Sequence, residues 1–208
     1  MAVHESNIWQ SASAGVGLQS KLNSNTDISF NLDYLYYHNN NPSQYDNLFS
    51  NHNNANDASQ VDVSKKTPIE FLIATADYKH IYSPHLTMEA GLKAVTSSLA
   101  NNVLVQRLQN NTWLTDSIFT SYSNFDEQVA AGYVSSIWQP GNQWTVNSGV
   151  RYEYTHTTIG TPDQKNLVNR KGGYLFPNLS FEKAFAKNQS AELSYSRRIN
   201  RPTYNDIA

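Results

Sequence analysis

From Trp144 onward the chain alternates with a period of two. Trp144, Val146, Val150, Tyr152 and Tyr154 fall on one face with Ser148 among them, while Thr145, Asn147, Gly149, Arg151, Glu153 and Thr155 fall on the other. Such alternation places successive side chains on opposite faces of a strand. The stretch therefore predicts an amphipathic strand whose apolar face carries an aromatic at each end. Pro140-Gly141-Asn142-Gln143 before it has the composition of a tight turn. Phe125 to Trp138 is a second alternating run, so the unit is a long hairpin reaching about Ile159.

The unit recurs along the chain. Ile8 to Leu22 and Asp27 to His38 flank the turn Asn23-Ser24-Asn25-Thr26, with Ala12, Val16, Leu18, Ile28, Phe30, Leu32, Tyr34 and Tyr36 on apolar faces. Asn39 to about Thr67 is rich in Asn, Ser and Asp, has no periodicity and is expected to be a loop. Pro68 to Ile81 and Leu86 to about Val105 flank Ser83-Pro84, and a second loop runs to about Asn124. A third loop carries Pro162, Asp163, Lys165, Arg170 and Lys171. Gly172 to Phe185 and Ala191 to Ile199 then flank the turn at Ala186-Lys187-Asn188-Gln189. About eight strands are expected, longer than the usual 5 or 6 residues of soluble sheets, with connections alternating strictly between short and long. Transmembrane barrels alternate in this way, with short periplasmic turns and longer extracellular loops.

Composition narrows the classes. The formal net charge is −2, so no electrostatic case for nucleic acid arises. There is no cysteine, which removes disulfide frameworks and thiolate metal sites. Mean hydropathy is −0.57, and no run approaches the roughly 18 apolar residues of a spanning helix. A β-barrel remains allowed, because only one face of each strand is apolar. The 13 Tyr, 8 Phe and 4 Trp suit strands.

Alternation does not itself say which face meets lipid; a soluble sandwich would bury the apolar face and wet the charged one. Three details favour the inverse. Apolar faces have small aliphatic middles and aromatic ends, as interfacial girdles require. Strand lengths match the roughly 9 to 11 residues that cross a bilayer at a tilt. Gly15, Gly17, Gly91, Gly132 and Gly149 recur on strands, mostly on the polar face, where a crowded lumen needs room. The expected fold is all-β, an antiparallel up-and-down transmembrane β-barrel.

Two segments also resemble a known family. Phe176-Pro177-Asn178-Leu179-Ser180-Phe181, followed by Leu193-Ser194-Tyr195-Ser196-Arg197-Arg198-Ile199-Asn200-Arg201-Pro202-Thr203-Tyr204-Asn205, looks like the "FPslsl…lsYsrRinRPsY" signature of outer-membrane barrels of the TonB-dependent receptor type. Gly149-Val150-Arg151-Tyr152-Glu153-Tyr154-Thr155 resembles that family's "GlRyEyT" strand. The resemblance implies a bacterial outer-membrane barrel of about 22 strands, an N-terminal plug, the inner-membrane TonB complex as partner, and import of a scarce ligand such as chelated iron, an oligosaccharide or a peptide. Residues 1–208 contain no plug or TonB-contacting segment, so the chain is expected to be a slice of such a barrel. A small adhesive barrel and a soluble β-sandwich module are the alternatives.

Arg151, Glu153, Glu182, Glu192, Arg198 and Arg201 are the candidate lumen residues, either contacting plug or ligand or forming a cross-strand charge ladder. Trp144, Tyr152, Tyr154, Tyr195 and Arg197 are candidates for the membrane interface, next to outer-membrane lipid. His38, His52, His80 and His85 border turns and loops without diagnostic spacing, so no metal or other cofactor is expected. No nucleophile–base–orienter set or phosphate-cradling glycine loop stands out, so no catalytic residues and no enzymatic activity are expected.

Overall fold

The computed structural model describes residues 2–50, 56–141, 143–186 and 189–199. Ten strands form one antiparallel sheet: β1 (Ala2–Glu5), β2 (Ile8–Asn23), β3 (Thr26–Ser50), β4 (Asn56–Ser83), β5 (Leu86–Gln109), β6 (Thr112–Thr115), β7 (Ser121–Trp138), β8 (Trp144–Gly160), β9 (Val168–Ala186) and β10 (Gln189–Ser196). The expected eight long strands are present, because β1 and β2 lie end to end along one edge of β3. β2 pairs with Thr26–Asn40 and β1 with Ser43–Asp46, and the Ser6 N–H donates to Pro42 O between them, at 3.2 Å. β6 is a short flap folded onto the end of β5. The remaining neighbours follow chain order as an up-and-down meander.

The sheet is a single layer, and its two faces are not equivalent. Among the described residues no large side chain is fully buried, and the buried apolar residues are Val105, Val129 and Ala131. With nothing stacked on either side, differences in burial report curvature: side chains crowd on a concave face and splay on a convex one. Val129, Ala131 and Glu153, which share the polar face, are 7 to 8% exposed, whereas Leu92, Leu193 and Tyr152 on the apolar face are 68, 74 and 50% exposed. The polar face is therefore inside the curve and the apolar face outside. A sandwich, which hides its apolar face against a second layer, does not fit.

The segment expected to be a loop differs most. Asn39 to Ser50 continues β3 and Asn56 to Thr67 continues β4, and their ladder runs without a register shift from Thr26↔His80 to Ser50↔Asn56; residues 51–55 of the expected loop lie outside the described residues. Backbone pairing holds these residues, where hydrophobic alternation gave no signal. Likewise β5 continues past Val105 to Gln109, and Arg170 and Lys171 belong to β9. β4 has 28 residues. Beyond the 9 to 11 needed to cross a bilayer, the excess is roughly 60 Å of strand at about 3.3 Å per residue.

Along these strands the chemistry of the two faces exchanges. Ile28, Phe30, Leu32 and Tyr34 point outward, opposite Tyr78, Ala76, Ala74 and Leu72. Past the step Leu35↔Phe71 and Tyr36↔Glu70, the apolar residues are the inward ones (Leu35, Tyr37, Ile69, Phe71, Val63), and outward positions hold His38, Asn40, Lys66 and Glu70. β5 does the same, with Leu99, Val103 and Val105 inward and Ser98 and Asn102 outward. No bulge interrupts the β3–β4 ladder there, so the exchange marks a change of surroundings. Above it, β1, β3, β4, β5 and β6 form a blade.

The blade ends in a stapled loop. Asn110 and Asn111 adopt φ of 49° and 63°, the left-handed pair of a two-residue type I′ hairpin, which Asn tolerates best after Gly. Beyond β6, the Arg107 guanidinium donates to Asp116 Oδ2 and lies 5.4 Å over the Phe119 ring. The Ile118 N–H donates to Asp116 Oδ1, and the Asp116 and Val105 backbones are tied at 2.8 Å. The hydrogen bond from Arg107, ahead of the smaller effect of backbone donors, holds the Asp116 carboxyl below its usual range. A folded-state value below the unfolded one gives stabilisation that is present above the ordinary carboxylate pKa and lost as pH falls through the lowered one. The loop at 116–120 is thus expected to keep its amide protection at pH 5 to 7 and to lose it in strong acid, and Asp116→Asn to lose it at all pH values, as read by hydrogen exchange.

Candidate functional site

The concave face carries a wall of polar side chains, set in rows by strand register. One row runs Asp77, Gly91, Tyr133, Arg151 and Phe176 across β4, β5, β7, β8 and β9. Gly91 has no side chain, so the Tyr133 ring lies across it and its hydroxyl donates to Asp77 Oδ1 two strands away, at 2.7 Å. A Cβ at residue 91 would collide with both groups. The next row toward the short turns runs Lys21, Asp27, Lys79 and Glu89, with signs alternating across four strands; Lys79 Nζ is 3.0 Å from Glu89 Oε1. Gly15, Gly17 and Gly149 let Asp33, Asn31 and Asn178 lie flat across neighbouring strands.

Arg151 and Glu153 fall on this wall, as the alternation predicts, and pair with each other: Arg151 Nη2 donates to Glu153 Oε2 at 2.9 Å. The other candidates do not join them. Glu182 pairs across the strands with Thr145 and Glu192, while Arg151 pairs with Phe176, so Glu182 sits roughly 20 Å farther along β9. Facing each other, Glu182 and Glu192 form no complementary ladder. β10 ends at Ser196 and Arg198 lies exposed beyond it; Arg201 lies outside the described residues. Asp77 and Tyr133 are the partners that strand-by-strand reading missed; aligning Gly91 against both neighbouring strands is the signal that finds them.

On the convex face, aromatics form two belts. Trp144 stands with Trp138, Tyr82, Phe181 and Phe185 near the short turns, and Tyr152 and Tyr154 stand with Tyr34 toward the long connections, all exposed. Ala90, Val134 and Val150 form a row between the belts, and the small residues Ala74, Ala76, Ala94, Ala130 and Gly132 continue the rows of Tyr152 and Tyr154 across β4, β5 and β7. Tyr195 is 63% exposed, and the Arg197 backbone N–H donates to Pro177 O at 3.1 Å. A depression of about 1060 Å³ on this face is floored by Ala76, Ala90 and Gly132 and flanked by Phe30, Tyr78 and Tyr152. Its surface is almost wholly apolar, and it lies across the same stretch of sheet as Asp77, Gly91 and Tyr133, which border it. His80 Nδ1 is hydrogen-bonded to Thr26 Oγ1 at 2.7 Å and its ring packs between Tyr78 and Tyr82. His38 stacks on Tyr36, and His52 lies outside the described residues.

An apolar convex face with aromatic belts, a polar concave wall and short turns at one end is the arrangement of a lipid-embedded barrel wall. The sequence profile of the Outer membrane protein beta-barrel family matches residues 20–208. The chain belongs to that family. None of the curated proteins matches it. Its place is the bacterial outer membrane, and its convex face, with the depression floored by alanines, meets lipid. The exchange of face chemistry at Leu35–Tyr36 and Phe71–Glu70 then marks where this outer-membrane barrel wall leaves hydrocarbon.

Two outward positions, Leu92 on β5 and Ser64 on β4, test this assignment from either side of the exchange. Leu92→Arg, facing lipid near mid-span, is expected to destabilise folding into vesicles by about 2–4 kcal/mol, whereas Ser64→Arg, above the exchange, changes it by less than about 0.5 kcal/mol; urea titration of refolded protein reads both. Gly91→Val is expected to break the Tyr133–Asp77 hydrogen bond and cost about 1–3 kcal/mol through overpacking, seen as a lower urea midpoint without loss of heat-modifiable migration.

Proposed function

We propose that this chain is an arc of a larger receptor barrel of the TonB-dependent type, admitting a scarce ligand such as chelated iron, an oligosaccharide or a peptide. The observation that carries the reading is the polar concave wall, combined with an arc whose edges stay apart. Among the described residues neither the outer edge of β2 nor that of β10 has a strand partner. Backbone groups in hydrocarbon must be paired, and on this reading further strands supply the partners on both sides. A closed barrel of eight fills its interior with side chains, while a larger one leaves room for a plug and a ligand. The receptor-like segments at Gly149–Thr155 and Phe176–Phe181 lie on the adjacent strands β8 and β9, so the resemblance gathers on one part of the wall. The barrel positions and passes its ligand, and no bond chemistry is assigned to it.

The blade of β1, β3, β4, β5 and β6, standing well clear of the lipid, favours a second reading, a surface-adhesive barrel. Cells lacking the protein separate the two. On the receptor reading, uptake of one labelled ligand among chelated iron, oligosaccharides and peptides drops to background, as it also does in normal cells when the proton-motive force is dissipated. Undiminished uptake of all three together with lost surface attachment would establish the adhesive reading instead.

A further inference from the structure

Lys183 stands where the family assignment has no use for a charge. On the lipid-facing side of β9, the positions from Gly173 to Phe185 are Gly173, Leu175, Pro177, Leu179, Phe181, Lys183 and Phe185, and Lys183 is the one ionised residue among them. Its strand neighbours on that face are Trp144 and Ala191, with Val146, Phe181 and Leu193 one step farther from the turn. The ammonium does not swing away from this surface: Nζ lies 4.9 Å from the Trp144 ring centroid and 5.3 Å from that of Phe185. Two ring faces attract the cation but accept none of its hydrogen bonds in the ordinary sense. Among the described residues Lys183 forms no ion pair. The ammonium therefore presents donors outward, from an aromatic cradle, at the level of the short periplasmic turns.

We propose that Lys183, Trp144 and Phe185 form a binding site for the phosphate of a phospholipid headgroup in the periplasmic leaflet. A phosphodiester supplies the missing counter-charge and accepts hydrogen bonds from Nζ, while the rings pack against the glycerol backbone and upper acyl chain, as aromatics at membrane interfaces do. The depth suits this ligand: the cost of a lysine falls away near the interface, so the charge is kept at little expense to folding. The lipid in turn tethers the β8–β9 edge of the wall close to its turns.

The test uses the whole protein, purified in detergent, stripped of lipid and examined by native mass spectrometry. Added phosphatidylglycerol is expected to be retained; diacylglycerol and inorganic phosphate are not. Lys183→Gln is expected to weaken retention about fivefold, the factor for one lysine at an anionic surface, while Lys183→Arg keeps it and Lys171→Gln, toward the long connections, leaves it unchanged. Equal retention by Lys183→Gln, or equal binding of diacylglycerol, would mean that Lys183 merely snorkels, and would overturn the proposal. Binding of inorganic phosphate as tight as that of phosphatidylglycerol would overturn the lipid source. A second measurement needs no variant: in vesicles, acetylation of Lys183 by a water-soluble reagent should be slower with phosphatidylglycerol than with a neutral glycolipid, and equal rates would count against the site.

Discussion

Pairing of backbone polar groups in a medium without water is the constraint on which this architecture depends. A strand in hydrocarbon satisfies its N–H and C=O groups only through neighbours on both sides, so the sheet propagates from β2 to β10 with scarcely a break in its ladders. Nothing else in the molecule supplies cohesion on that scale. A soluble domain of this length would draw on a packed interior, but here the buried apolar residues are few and large exposed ones are many. The hydrophobic effect acts between the convex face and lipid, outside the chain itself.

That arrangement also explains how the strands change role without changing direction. Within the span, side-chain chemistry is dictated by lipid on one side and water on the other, and the outward position is apolar. Once β3, β4 and β5 rise past Leu35, Phe71 and Leu99, water lies outside as well, and the outward position becomes His38, Glu70 or Ser98. The ladder is indifferent to this exchange because backbone pairing does not depend on side-chain polarity. Continuous strands thereby make both the membrane wall and the blade above it, and the wall residues Asp77, Tyr133 and Arg151 inherit positions from a register that extends well beyond the bilayer.

Most of the membrane-spanning fold was legible in the sequence because lipid imposes a strict period of two on each crossing. The eight long strands, their short turns and the inward placement of Arg151 and Glu153 all follow from it. The blade was not legible for the complementary reason. Asn39 to Gln44 is polar on both faces, so no period appears, and its strand character comes from pairing with residues Asp62 to Thr67 farther along the chain. Contacts within the polar wall were equally hidden. The Tyr133–Asp77 hydrogen bond spans two strand boundaries over a glycine, and Glu182 and Glu192 share a face with Arg151 but not a level. Alternation assigns a face; only register assigns a height.

The pairing of the wall's charges bears on what the wall does in a receptor. Arg151 is engaged by Glu153 and Lys79 by Glu89, while Asp77 accepts from the uncharged Tyr133 hydroxyl. Where its charges are matched in this way the wall stays wet and offers a passing solute little local attraction. Discrimination then falls to the inner face of the blade, where Leu35, Tyr37, Ile69, Phe71 and Leu99 present an apolar surface directly above the polar one. On the receptor reading, a ligand meets an apolar mouth before a polar passage. Apolar contacts then hold it where the barrel opens and give way to water below, an order that favours capture first and release inward afterwards.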